Sequence, residues 1–315
     1  MEHGTGLVLR HETAAKPLIE VLQHKQVLEQ GMDVPEERPG FPIGLTEVGI
    51  ASKTVWIRLP EGRIPFDAAL SVSLPAQFRG IHMSRMEEAV SSLSSIDFTD
   101  LMEYAMALAK KLLQGQRGND AHVRLRGLLP ITRPTLISKR PSHDSLTVTA
   151  SVSLMRHNDE IQIKEAMRGI EVMHITACPC TQVYNHLLFK EKQSDLPLIT
   201  HSQRSSTSLT IEDASMLLTY EDLLSCLNDA LHLTQDLLKR PDEAELVLKA
   251  HRMPQFAEDA VRETARSVAM RFGKRLPDDT RLQIASVSLE SIHIHDVVCR
   301  IDTTLKALLN AAATL

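Results

Sequence analysis

Residues 146–154 read "LTVTASVSL". Leu146, Val148, Ala150 and Val152 alternate with Thr147, Thr149, Ser151 and Ser153, so that an extended chain carries apolar groups on one side and hydroxyls on the other. A period of two is that of a half-buried strand in an antiparallel sheet. "HVRLRGLLP" at residues 122–130 precedes it as a second strand, and "FDAALSVSLP" at residues 66–75 as a third. Between them, residues 96–113 ("IDFTDLMEYAMALAKKLL") place apolar groups three and four apart, with acids early and lysines late, which predicts a helix.

After the polar break "RHNDE" (residues 156–160) a similar order returns. "GIEVMHITA" and "SSTSLTIED" read as strands. Residues 220–239 read as a helix capped by Thr219 and Asp222, with Leu224, Leu227, Leu231 and Leu238 in its apolar stripe. "RPDEAELVLKAHRMP" interrupts the pattern. A helix over residues 256–272 follows, with Ala257, Val261, Ala265 and Val268 on one side, and then two strands, "RLQIASVSLE" and "SIHIHDVVCRID". Strands, helix and strands occur twice, so the expected fold class is α+β: two related modules whose helices pack on one face of antiparallel sheets. The divisions fall at residues 1–54, a surface arm rich in proline and glycine ("DVPEERPGFPIG"), 55–158 and 159–315.

The chain has 315 residues, enough to remove about 75% of its extended surface from water. Thirty-five Lys and Arg against 40 Asp and Glu leave a net charge of -5, which argues against general attraction to nucleic acid or anionic lipid. Four cysteines make no disulfide framework. No run approaches the ~18 apolar residues of a spanning helix, and the N-terminus has no signal-peptide pattern. A reduced, cytoplasmic protein without a membrane segment is expected.

"CPC", Cys178 to Cys180, brackets one proline with two thiols. A redox motif separates its thiols by two residues, whereas these are separated by one, so a disulfide fits poorly. A self-contained zinc clip would need a second close Cys or His pair. Unequal thiols, one facing a pocket, remain the third reading. Distant groups can complete such a pocket: His201 and Arg204 in "HSQRSS", and Glu290 and His293 in "ESIHIHD", where His293 and His295 share strand parity and Glu290 does not unless a turn or bulge at Ser291 intervenes. Thiolate, imidazole and carboxylate together suit Zn²⁺ or Fe²⁺, the chemistry of a mononuclear metal hydrolase. Cys226 and Cys299 read as ordinary core cysteines.

Seven phrases in order, "LTEVGI", "RGIHMSRM", "ACPCTQ", "HSQRS", "KRPDE", "FAEDAVRE" and "ESIHIHD", resemble the metal-dependent type IB GTP cyclohydrolases and their archaeal relatives. The resemblance runs from Gly44 to Asp296. It implies two tunnelling-fold modules per chain and a homotetramer with active sites near subunit interfaces. It also implies metal ligation by Cys178, His201, Glu243 and His293 with Glu290 close by, and a guanine-anchoring carboxylate at Glu258. Arg79, Arg85 and Arg204 are the expected phosphate-binding cations. One divalent ion per site is implied, Fe²⁺ foremost, with Zn²⁺ or Mn²⁺ as substitutes. The expected reaction is hydrolysis of GTP at guanine C8, releasing formate and forming 7,8-dihydroneopterin triphosphate on the folate pathway. The connection "TQVYNHLLFKEKQSDLPLIT" is longer than in most bacterial members and resembles the archaeal branch, whose product is 7,8-dihydroneopterin 2',3'-cyclic phosphate. Two rivals are a metal-dependent nucleoside or pterin hydrolase and a non-catalytic, metal-containing oligomer.

Overall fold

The structure, a computed structural model, describes residues 17–31, 33–158, 160–189 and 196–314. Its organising unit is the stretch read first. That stretch lies in β4 (Pro141–His157), which pairs antiparallel with β3 (Asp120–Pro134) on one side and with β5 (Glu160–Ala177) on the other. β1 (Leu45–Leu59) and β2 (Gly62–Leu74) extend the sheet beyond β3. β6 (Ser202–Glu212), β8 (Arg281–Ser288) and β9 (Val297–Thr304) extend it beyond β5, and the short β7 (His232–Leu233) pairs with the end of β5. Every pairing is antiparallel, in the order β1-β2-β3-β4-β5-β6-β8-β9. The β4–β5 ladder therefore merges the two halves into one sheet.

All helices that build the core lie on one face. Leu146, Val148, Ala150 and Val152 point into it, at 5% exposure or less. α2 (Met83–Leu93) and α3 (Leu101–Gly115) cover the first half; α5 (Tyr220–Ala230) and α7 (Ala257–Phe272) cover the second, with α8 (Leu305–Ala312) against α7. One continuous apolar cluster runs from Val55 through Leu125 and Val172 to Ile284. Three charged groups also cross the seam. Arg168 of β5, 1% exposed, donates to Asp213 at 3.0 Å and to Asp100, the N-cap of α3, at 2.6 Å, with its guanidinium 4.8 Å from the Tyr220 ring centre.

Several boundaries differ from expectation, each for a local reason. β1 begins at Leu45, inside the expected arm, because its first ten residues lack a buried side and so show no alternation. Within that arm, α1 (Val21–Gln30) buries nothing, and residues 1–16 and Met32 fall outside the described residues. α3 begins at Leu101, because the Asp100 side chain accepts from the Met102 N–H, while Phe98 N–H is held by Arg58. α5 has the expected Thr219 and Asp222 box but ends at Ala230, since the chain leaves to pair with β5; Leu238 lies beyond it. "RPDEAELVLKAHR" is a helix, α6 (Arg240–Arg252), which buries only Asp242 and Ala250 and so has no apolar stripe to read. "SIHIH" is not a strand: β8 stops at Ser288, and Ile292 and Ile294 are exposed on a loop at 63% and 106%. The parity comparison of His293, His295 and Glu290 therefore does not apply. No helix among the described residues is long and apolar enough to cross a membrane.

Candidate active site

The candidate site lies where β5 and β6 end together. Past the last ladder pair, Ala177 with Ser202, the Cys178 N–H donates to the His201 carbonyl at 3.0 Å, and the Thr200 hydroxyl donates to the Cys178 carbonyl at 2.7 Å. Pro179 then opens α4 (Pro179–Phe189), where its missing N–H costs nothing. Cys178 thus sits at a strand-to-helix junction; a continuous strand would turn both thiols of "CPC" to one face, and the change of backbone at Pro179 separates them. The thiols are unequal. Cys178 is half-buried, with the Thr181 hydroxyl 3.8 Å from its sulfur, and Cys180 is exposed.

His201 and Glu290 both meet a residue not anticipated from the sequence, Gln203, and His293 lies beside His201. The Gln203 Oε1 lies 3.0 Å from His201 Nδ1, and an amide oxygen only accepts, so Nδ1 is the donor in this pair. The Gln203 amide nitrogen points to Ser288 Oγ at 3.4 Å and to Glu290 Oε1 at 3.5 Å, and the Ser288 hydroxyl donates to Glu290 at 2.8 Å. The His293 ring stands perpendicular to that of His201, with centroids 6.4 Å apart, and stacks on His295 at 5.3 Å. A signal for Gln203 exists in the sequence: residues 201 and 203 share one face of any strand.

The other expected residues are placed as follows. Glu243 is exposed in the first turn of α6, with no side-chain bond to Cys178, His201, Glu290 or His293 among the described residues. Its helix does lie at the same end of the molecule: Ala244, Val247 and Leu248 line a groove with Pro197 to Thr200, and the Gln182 amide donates to the His251 carbonyl at 2.8 Å. Glu258 is exposed in the first turn of α7, and the residue before that helix's N-cap, Gln255, donates its N–H to Ala177, next to Cys178. Arg79 pairs with Glu37 at 2.7 Å and Arg85 donates to the Gly115 carbonyl at 3.2 Å, both around α2. Arg204 is exposed beside a cleft of about 470 Å³ that Asp144 and Glu171 also line. Hydrogen bonds hold both of those carboxyls below the usual range against the opposing effect of burial, so the cleft is a poor seat for a polyphosphate.

The five expected ligands are not drawn into one coordination sphere within this chain. Among the described residues, the group of His, Cys, Asp and Glu whose ligand atoms come within 4.8 Å of one another is Asp33, Glu36 and His82. There the imidazole lies between the two carboxylates, 3.1 Å from Glu36, and Arg117 donates to the same Glu36 oxygen at 3.0 Å. That is a network whose shared carboxylate, Glu36, already has a cation in Arg117.

The family model described as type I GTP cyclohydrolase folE2 matches residues 32–299. The chain belongs to that family. Two GTP cyclohydrolases named MptA illustrate how far the family likeness extends. That of Methanocorpusculum labreanum is 30% identical over 305 residues, covering 88% of this chain and 97% of the relative. That of Methanoculleus marisnigri is 31% identical over 307 residues, covering 88% and 96%. Among solved structures, the uricase from Arthrobacter globiformis aligns at a TM-score of 0.45 and 9% identity, over 83% of this chain and 93% of that chain. The cyclohydrolase family match spans both halves of the sheet, so it takes in Arg79 and Arg85 as well as the Cys178 cluster.

Proposed function

We propose that this protein is a metal-dependent GTP cyclohydrolase that opens the guanine ring at C8 and releases formate. The observation that carries the reading is the family match over residues 32–299, joined to the His201, Gln203, Ser288 and Glu290 network beside Cys178. The donor chemistry fits a divalent ion. A half-buried thiol, an imidazole held through Nδ1, a second imidazole perpendicular to it and an anchored carboxylate are the donors Zn²⁺ and Fe²⁺ take. Cys178, His201, Glu243 and His293 would hold the ion, with Glu290 near it. Such an ion makes water a competent nucleophile near neutral pH.

The chain's own groups have separate tasks. Gln203 accepts from His201 Nδ1, so Nε2 binds the ion or accepts a proton. Glu258, at the positive end of α7, accepts from N1 and N2 of guanine, a donor pair that adenine lacks. Arg79 and Arg85 neutralise phosphate, whereas Arg204, beside the cleft lined by Asp144 and Glu171, is set aside. Because Arg79, Arg85 and Glu243 are not joined to the Cys178 cluster in one chain, a homotetramer with sites at its interfaces completes the constellation. A cytoplasmic setting suits free thiols and GTP supply.

Two observations favour the cyclic phosphate over the triphosphate: the MptA name of the relatives and the long connection between Cys180 and His201, whose first part is α4. Residues 190–195 of that connection lie outside the described residues. Anaerobic incubation of the purified protein with GTP and Fe²⁺, Mn²⁺ or Zn²⁺, with a formate assay and mass analysis, tests the reading. Formate with cyclic phosphate is expected. Formate with triphosphate restores the bacterial-type product, and absence of formate overturns the proposal.

A further inference from the structure

We infer that Asp242 is the positioning residue for Glu243, and that the tip of the β3–β4 hairpin is the platform that aims it. The inference rests on Glu243 being a metal ligand. Asp242 is 2% exposed on a helix that otherwise buries only Ala250. Its carboxylate accepts from the Ile137 N–H at 2.8 Å, the Ser138 N–H at 3.0 Å, the Ser138 hydroxyl at 2.6 Å and the Lys239 N–H at 3.2 Å. All four donors are uncharged, and three come from the other half of the chain.

The platform is itself braced. Within the tip, the Thr135 and Ser138 hydroxyls are 2.7 Å apart, and the Arg140 N–H donates to Thr135 at 3.1 Å. Below it, Arg133 donates to Asp144 and to the Thr234 carbonyl, while Asp144 and Ser142 accept the N–H groups of Asp236 and Leu237 at 2.9 and 3.0 Å. The whole approach to α6 is thereby tied to the first half. An exposed helix with one buried alanine gains little packing from this arrangement. What the four bonds fix is its first turn, and the first turn carries Glu243.

The test is the Zn²⁺ affinity of the full-length chain against a competing chromogenic chelator. Asp242→Asn, Ser138→Ala, Glu243→Gln and the pair Asp242→Asn with Glu243→Gln are compared with the parent. Glu243→Gln and Asp242→Asn are each expected to weaken Zn²⁺ binding about 10–100-fold. The pair is expected to bind no more weakly than Glu243→Gln alone, because Asp242 acts through Glu243. Ser138→Ala, which removes one hydroxyl, is expected to cost about fivefold and decides the matter if Asp242→Asn does not fold. Unchanged affinity in Asp242→Asn or Ser138→Ala, with Glu243→Gln weakened, overturns the positioning role and leaves Glu243 a ligand. Losses that add in the pair overturn it too. Unchanged affinity in Glu243→Gln overturns the ligand assignment and the inference with it.

Discussion

Arg168→Ala separates the halves of this molecule where they depend on each other most. Arg168 is 1% exposed and bridges Asp100, which caps α3 in the first half, to Asp213, 2% exposed at the end of β6 in the second. Truncation leaves the Asp213 carboxylate buried without its cation, although it keeps the N–H groups of Leu217 and Leu218 at 2.7 and 3.3 Å. Breaking a buried pair by removing one partner costs roughly 3–5 kcal/mol, because the remaining charge stays desolvated. At about 2 °C per kcal/mol for a chain of this length, the melting temperature falls by roughly 6–10 °C. Scanning calorimetry at fixed protein concentration measures it. Adding Asp213→Asn to Arg168→Ala removes the stranded charge and is expected to recover about 1–2 kcal/mol. A single variant within about 1 kcal/mol of the parent, or a double variant worse than the single, refutes the reasoning.

Three further outcomes are expected. Burial, and secondarily His232, pushes the His174 pKa from 6.5 down to about 4. The unfolded chain therefore takes up its proton first, and this contribution is complete above pH 6.5 and lost as pH falls to 4, by about 3 kcal/mol. Urea unfolding of parent and His174→Gln across that window checks it, and parallel pH profiles would sink it. Cys178→Ser should abolish both metal retention and formate release while Cys180→Ser keeps most of each, read by metal analysis of the purified proteins; equal losses contradict the unequal thiols. Glu258→Gln should lower kcat/KM for GTP at least about 30-fold, from ~2 kcal/mol or more for a charged hydrogen-bond pair, and normal turnover would remove Glu258 from the guanine edge.

Elements with one buried side were legible, and elements without one were not. β4 and α7 show their periods because their partners cover one face only. α6 buries two residues and escaped notice, although Pro241, its early acids and its late Lys249 and Arg252 were all helix signals. "SIHIH" shows the opposite failure. It alternates apolar and polar residues as a strand does, but no strand among the described residues pairs with it, and alternation cannot report whether a partner strand exists.

By itself, the sequence determined the α+β class, the antiparallel sheet and the family, because period, turn chemistry and motif order can be read along the chain. Tertiary structure alone decided three things. "LTVTASVSL" became the strand that fuses two halves into one sheet through its ladder with β5. Gln203 became the hydrogen-bond partner of His201 Nδ1. Asp242, about a hundred residues from Ile137 and Ser138, met their donors. Each depends on which distant groups come within hydrogen-bond range, and such short-range forces act only after the chain has closed the loops between them.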